Sequence, residues 1–354
     1  MQQSKALIAM SGGVDSSVAA FLTAQEGYSC VGGTMLLYDS GDVCGSSAAI
    51  GDARAVAERL AMPFHVFEMT DVFRQCVIED FVSCYENGLT PNPCIRCNRH
   101  LKFSAFLEKA DELGCECMVT GHYAQIRKDQ STGRYLLCKA ADAAKDQSYF
   151  LYAITQEQLA KIRFPLGQLT KEQVRTIAQD QGFINAKKRD SQDICFVPDG
   201  DYLAFLRKFT DKDYEPGNFL DTCGNIVGTH HGAVGYTLGQ RKGLGLAMGQ
   251  PVYVCGKDMK KNTVTVGAED TLYHKELLAN DWFFFPFPTL TAPMEVEAKT
   301  RSRMAQQPAT VYPEANGYCR VVFHEPQRAM TPGQAVVLYD GDIVVGGGTI
   351  TEVL

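Results

Sequence analysis

Ala6-Leu7-Ile8-Ala9-Met10-Ser11-Gly12-Gly13-Val14-Asp15-Ser16-Ser17 is the stretch whose reading decides the fold of this chain. Residues 6–10 form a short apolar run of strand character, and Ser16 to Glu26 reads as a helix closed by Gly27. Between them, two glycines let backbone N–H groups turn inward toward an anion. Serine hydroxyls add donors, and the following helix directs its positive end at the same point. The segment reads as a phosphate cradle. It is not a Walker A loop, because no Gly-Lys-Ser/Thr closes it, and its glycine spacing is wrong for a dinucleotide fingerprint. The competing reading is a plain glycine turn in which Asp15 or Ser16 caps the helix.

Working outward, strand and helix signals alternate through the first half. Cys30 to Leu37 reads as a buried strand, Asp52 to Met62 as a helix and Phe64 to Phe67 as a strand. Asp71 to Tyr85 then reads as a helix ended by Asn87-Gly88, Asn98 to Leu113 as a helix ended by Gly114, and Cys117 to Thr120 as a strand. Such alternation predicts an α/β fold with a parallel sheet covered on both faces. Beyond about Asp199 the texture changes. A short helix at Tyr202 to Phe209 precedes Gly-rich segments, and Val252 to Cys255 with Thr263 to Val266 reads as a strand pair. From Thr271 the pattern is almost wholly β, ending in a hairpin of Ala335 to Tyr339 and Ile343 to Val345 around Asp340-Gly341.

The chain has 354 residues, which predicts two or three domains, and its 45% hydrophobic and 21% charged composition is that of a globular protein. No stretch is apolar enough to span a bilayer, and the run after Met1-Gln2-Gln3-Ser4-Lys5 is too short for a secretory signal, so the expected location is the cytoplasm. A net charge of −7 makes any nucleic-acid site a matter of local clusters. Three stand out: Lys187-Lys188-Arg189, Arg241-Lys242, and Lys299 with Arg301 and Arg303.

Thirteen scattered cysteines without a signal peptide argue against a disulfide scaffold, and most read as small buried residues. Asn92-Pro93-Cys94-Ile95-Arg96-Cys97-Asn98 differs, standing on a proline-shaped loop before a helix. A helix N-terminus at Cys97 and the charges of Arg96 and Arg99 would favour a thiolate there. Zinc would need four ligands, and His100, Cys115 and Cys117 are irregularly spaced. Haem attachment fails because Asn98 follows Cys97. Redox or sulfur chemistry and an iron–sulfur site remain. Cys195, within Asp190-Ser191-Gln192-Asp193-Ile194-Cys195-Phe196, reads on its own as a buried strand thiol.

The loop Ser11 to Ser16 resembles the motif of the PP-loop ATP pyrophosphatases, which cleave ATP between its α and β phosphates. The ordered set comprises this loop, Asn92 to Asn98, Thr120-Gly121-His122-Tyr123-Ala124, Lys145 to Tyr152, Ser191 to Phe196, Gly235 to Leu244 and Pro332-Gly333-Gln334. Together these resemble the bacterial tRNA-specific 2-thiouridylases from end to end. The resemblance implies an adenine nucleotide alpha hydrolase-like (PP-loop) domain over residues 1–200. It further implies a small mixed/β, tRNA-contacting central domain over 201–270 and a tRNA-binding C-terminal β-barrel over 271–354.

It also implies the chemistry. ATP adenylates the 2-oxygen of the wobble uridine, and sulfur replaces it; polyphosphate chemistry itself, rather than a ligand set in the sequence, leads us to expect Mg2+ near Asp15. Ala9, Met10, Ser11, Gly12, Gly13, Val14, Asp15 and Ser16 match the phosphate-holding stretch, and Met35 and Gly121 the adenine and ribose side. Cys195 matches the persulfide carrier, and Cys97 the thiol that releases the product and leaves a Cys97–Cys195 disulfide. Asn92, Pro93 and Cys94 match the lining of the target base. His122, Lys145, Asp146, Gln147, Arg301, Ser302 and Gln334 match tRNA-contacting positions. The implied partners are tRNAs for lysine, glutamate and glutamine and an upstream persulfide or sulfide donor protein.

One departure matters: many members have Asp where this chain has Cys94. Cys94, Cys97 and Cys195 could therefore hold a [4Fe–4S] cluster with one iron open to sulfide, as an alternative to the persulfide route. Two rival functions are a PP-loop synthetase joining small molecules, and a non-enzymatic RNA- or metal-binding module.

Overall fold

The computed structural model describes residues 3–37, 46–188 and 194–354. Strand β1 (Lys5–Ala9) lies at the centre of a five-stranded sheet with β2 (Ser29–Leu36), β3 (Phe64–Glu68), β4 (Cys117–Thr120) and the two-residue strand Ile162–Arg163. The order is β3-β2-β1-β4 followed by 162–163, and every neighbouring pair is parallel. Alternate side chains of β1 enter different cores: Leu7 joins one apolar cluster, Ala6 and Ile8 the other. Connections after β1 and β4 leave toward opposite sides, which opens a crevice at their C-terminal ends. Helix α1 (Val14–Gln25) follows β1 directly and covers the sheet with the small buried residues Val18, Ala19 and Ala20.

Two helices depart from the sequence reading. Thr70–Glu86 contains a π-wound turn at Arg74–Ile78. The second runs continuously from Pro93 to Glu112: α-helical to Arg96, π-wound over Cys97–Ala105, then α-helical again. It begins five residues before the expected Asn98. Asn92 is the extended residue ahead of it, and Pro93 occupies the first helical position, where a missing N–H costs no hydrogen bond.

Gly217–Leu220, Ile226–His230, Tyr253–Asp258 and Thr263–Gly267 form a separate four-stranded mixed sheet, including the expected antiparallel pair. The C-terminal strands Tyr273–Phe284, Met294–Lys299, Gln307–Pro313, Cys319–Arg328, Ala335–Asp340 and Ile343–Val353 close into a six-stranded barrel, the first pairing with the last. The terminal hairpin is present, with Asp340 opposite Ile343 and Gly341-Asp342 as its turn. An unpredicted hairpin, Gln125–Lys128 with Tyr135–Cys138, meets the barrel through Cys138 opposite Ile343. The larger core cluster runs from Leu7 and Val31 through Phe81 and Leu101 to Val337 and Tyr339, so it is shared by the parallel-sheet region and the barrel.

Candidate active site

The loop between β1 and α1 is built on its glycines. Gly12 has φ +73°, and a Cβ there would stand 2.2 Å from the Ala49 carbonyl oxygen, so only glycine fits. The residue ahead of α1 is Gly13, and no side chain caps the helix. The reading of Asp15 or Ser16 as a mere cap therefore fails. Ser16 Oγ instead donates to the Gly13 carbonyl at 3.0 Å and accepts from the Ser11 N–H at 3.2 Å, shaping the loop from within. Ala9 and Met10 lead into the turn, and the Met10 N–H donates to Gly33 O at 2.8 Å. Val14 is buried in the core behind it. Gly121, just after β4, abuts the start of α1: a Cβ there would lie 2.7 Å from Ser16 N. Met35, near the end of β2, is packed in the larger core.

Four residues from the chain beyond β4 support the loop. Lys171 Nζ donates to both carboxylate oxygens of Asp15 at 2.7 and 2.9 Å, and Tyr123 Oη donates to the same group at 2.9 Å. Asn185, 3% exposed, donates Nδ2 to Gly12 O at 3.1 Å and to Ser17 Oγ at 2.9 Å. Its Oδ1 has no hydrogen-bond partner among the described residues. Lys188 Nζ lies 3.5 Å from Gly12 O and pairs with Asp52 at 2.7 Å. The basic run Lys187-Lys188-Arg189, singled out above as a local nucleic-acid cluster, thus places one lysine at the loop after β1; Arg189 lies outside the described residues.

The cysteines divide as their burial dictates. Burial pushes the thiols of Cys30, Cys84, Cys117 and Cys319 up to about 11, which keeps them protonated and inert. Cys94 is exposed, while Cys97 and Cys195 are half-buried. Cys97 is not at the helix N-terminus as expected: the helix starts at Pro93, so Cys97 lies one turn inside, and Cys94 occupies the first turn. The end effect of a helix decays over that first turn. Arg96 and Arg99 are each paired with a carboxylate, Asp80 and Asp281, which further weakens the predicted field.

Cys195 is in a turn closed by Val197 N–H to Ile194 O at 2.9 Å, not in a strand. Asp190 to Asp193 of its motif lie outside the described residues. Next to it, Phe196 packs edge-on against Phe73 and Phe81 of the helical segment Thr70–Glu86. The same segment carries Asp80, which holds Arg96 beside Cys97. Ala9, Cys97 and Cys195 all border one apolar core.

Several residues expected at RNA are engaged within the protein. Asp146 accepts from Ala140 N, Ser148 N and Ser148 Oγ. Gln147 accepts from Tyr123 N at 2.9 Å, and Gln334 Nε2 donates to the carbonyls of Thr90 and Pro91 at 3.1 Å. Lys145 stands in the turn before them, its N–H on Asp142 O. Arg301, half-buried, donates to the carbonyls of Leu238 and Ala329 and to Thr331, tying the segment that holds Leu238 to the barrel; Ser302 lies in the turn that follows. His122 Nδ1 is 2.7 Å from Thr120 Oγ1, and its ring is flanked by Phe103 and Phe164. Burial, with Lys102 adding to it, holds the imidazole well below its usual pKa, hence neutral. Arg241, Lys242 and Arg303 are exposed.

Three family models match in succession: a tRNA methyl transferase HUP domain over residues 4–199, a tRNA methyl transferase PRC-barrel domain over 204–268, and an aminomethyltransferase beta-barrel domain over 274–350. The chain is 49% identical to the tRNA-specific 2-thiouridylase MnmA of Acetivibrio thermocellus, covering 99% of this chain and 100% of that one. It is 48% identical to the protein of the same name in Clostridioides difficile, over 99% of both chains. The chain belongs to the tRNA-specific 2-thiouridylase family. A third relative under that name, from Symbiobacterium thermophilum, is 47% identical over 99% of this chain and 93% of its own.

Within this 2-thiouridylase framework no observation supports the iron–sulfur alternative. Among the described residues, no three Cys, His, Asp or Glu side chains gather as a metal-holding group, Cys94, Cys97 and Cys195 included. Sequence reasoning missed Lys171, Asn185 and the role of Lys188. Only the basic run Lys187-Lys188-Arg189 ahead of the Cys195 motif signalled any of them.

Proposed function

We propose that the chain is an ATP-dependent tRNA sulfurtransferase that forms 2-thiouridine at the wobble position (34) of tRNA. The carrying observation is the glycine-built cradle between β1 and α1, taken with two half-buried thiols, Cys97 and Cys195, that border the same large apolar core as Ala9. A nucleotide-splitting cradle has no task in alkyl transfer, whereas a thiol pair is suited to sulfur transfer. Thiolation is therefore favoured over the methyl transfer named in two of the family descriptions.

The loop N–H groups and the N-terminus of α1 would hold the phosphates of ATP, with Lys188 adding positive charge. The fit rests on the cradle at Gly12 and on the buried Asn185 amide behind it. Magnesium would enter as the salt of ATP and neutralise phosphate charge, and Asp15 is the carboxylate within the loop.

The 2-oxygen of the uridine attacks the α-phosphate, pyrophosphate leaves, and the oxygen becomes part of a good leaving group. The terminal sulfur of a Cys195 persulfide then attacks C2, and AMP departs with the oxygen. This leaves Cys195–S–S–C2, which the Cys97 thiolate attacks at the Cys195 sulfur. The thiolated base is expelled, and a Cys97–Cys195 disulfide remains. A thiol reductant and a fresh persulfide donor restore the starting state. Neutral His122 is suited to hydrogen bonding at the base rather than to phosphate binding. The proposed acceptors are tRNAs for lysine, glutamate and glutamine.

Mass spectrometry of wobble nucleosides after incubation with unmodified tRNA, ATP and a persulfide donor tests the reading. It requires 2-thiouridine only when ATP is present. ATP turnover driven by an amino acid, or thiolation without ATP, refutes it.

A further inference from the structure

The helix that carries Cys94 and Cys97 is gripped at two places by the C-terminal barrel. Ahead of the helix, the Thr90 N–H donates to Pro332 O at 2.9 Å, and Gln334 Nε2 donates to both Thr90 O and Pro91 O at 3.1 Å. Gly333 lets the two chains touch: its φ is +91°, and a Cβ there would stand 2.9 Å from Thr90 N and 3.0 Å from Leu89 Cβ. This turn is pinned to the last barrel strand, with Gly333 N–H on Ile350 O and Ile350 N–H on Gln334 O, both at 2.8 Å. Two residues beyond Cys97, Arg99 forms a two-bond ion pair with Asp281, and its guanidinium lies 4.7 Å over the Phe283 ring. Asp281 has φ +53° and sits where the barrel strand Tyr273–Phe284 slips register against the last strand.

The helix needs such support. From Cys97 to Ala105 it is π-wound, a conformation that commonly survives for a single turn, so its own hydrogen bonds fix the place of Cys97 weakly. We propose that Gln334 and Asp281 are positioning residues, through which the barrel sets the place of Cys97, in addition to whatever RNA surface the barrel offers. Gln334, expected at RNA, thus acts on the thiol through the Thr90-Pro91 carbonyls. The inference rests on the reading of Cys97 as a reacting thiol.

Two variants test it in the full chain. Gln334→Met keeps the bulk and removes the donor; Asp281→Asn keeps a residue that tolerates positive φ and removes the charge. Cys97 alkylation by iodoacetamide, read by peptide mass spectrometry, should accelerate severalfold in each. Thiolation at saturating tRNA should fall about tenfold to a hundredfold, the loss expected of a reacting group displaced by about 1 Å. The dissociation constant for tRNA should stay within about twofold, the change a phosphate- or base-contacting side chain would exceed. Gln334→Lys, with a donor of similar reach, should restore part of the lost rate. Weakened tRNA binding with unchanged alkylation and unchanged saturated rate would overturn the proposal and return Gln334 to the RNA surface. Unchanged behaviour in all three assays would overturn it as well. If Gln334→Met does not fold, Asp281→Asn decides through the same assays. A Cys97→Ser chain that still thiolates normally would sink the catalytic reading alone, leaving the alkylation result to judge the grip.

Discussion

Removing Lys171 should unsettle the loop after β1 more than breaking a surface ion pair would, because it leaves the part-exposed Asp15 carboxylate without its countercharge. The Lys171 side chain is 11% exposed and that of Asp15 30%, and the ammonium contacts both carboxylate oxygens, the closer at 2.7 Å. At an effective dielectric of about 20 the gross attraction at that distance is about 6 kcal/mol, and dehydration offsets most of it. With Lys171→Met, Asp15 retains the Tyr123 hydroxyl at 2.9 Å but loses its countercharge. Discounted for its one-third exposure, the unpaired carboxylate should cost about 2–3 kcal/mol, or about 3–4 °C in the melting temperature of a chain of 354 residues. Asp15→Asn should cost a comparable amount by taking the carboxylate away from the lysine. The double variant should recover most of either loss, because neither charge of the pair remains. A thermal-melt double-mutant cycle measures this coupling directly. Additive losses, or a Lys171→Met chain that melts with the parent, would refute the reasoning.

Two further predictions rest on half-buried bases. His122 titrates well below the usual value of 6.5 when folded, so the unfolded chain binds a proton that the folded chain does not. Its contribution is intact above pH 6.5 and is lost as pH falls below it, by about 1.4 kcal/mol per pH unit. In chemical denaturation between pH 7 and 5, His122→Gln should flatten this slope, and an unaltered slope contradicts it. Lys257, with its ammonium on the Tyr236 carbonyl at 2.8 Å, has its pKa pushed down from 10.5 to about 8 by burial. Between about pH 8 and 10.5 the unfolded chain holds the extra proton, so stability rises with pH across that window. Lys257→Met should stabilise the protein at pH 7 by about 2 kcal/mol, and a destabilised variant would show that the carbonyl bond outweighs desolvation.

What was legible in the sequence is what local chemistry enforces. The Ser11 to Ser17 turn, β4 at Cys117–Thr120 and the terminal hairpin follow from glycine placement and apolar runs. The helix start at Pro93 was also signalled, by an Asn-Pro pair of the kind that opens helices, but the cysteines after it drew the boundary five residues late. The strand Ile162–Arg163 has two residues and no periodicity to read, and the hairpin at 125–138 has strands of four. Tertiary pairing decided the rest. Nothing near Lys171 in the chain foretells Asp15, 156 residues away, and nothing near Gln334 foretells Thr90. Asp146 and Gln147 sit in a motif expected at RNA, yet their side chains accept from backbone N–H groups of Ala140 and Tyr123, because a polar loop packed against Tyr123 must satisfy such groups first.

The most direct test of the sulfur relay withholds the resolving thiol and asks whether the half-finished product accumulates. A Cys97→Ser chain is loaded with persulfide at Cys195 and mixed with unmodified tRNA and ATP. On a non-reducing gel the account predicts an ATP-dependent protein–tRNA adduct that dithiothreitol cleaves to release 2-thiouridine. Normal release of 2-thiouridine without any adduct would contradict it.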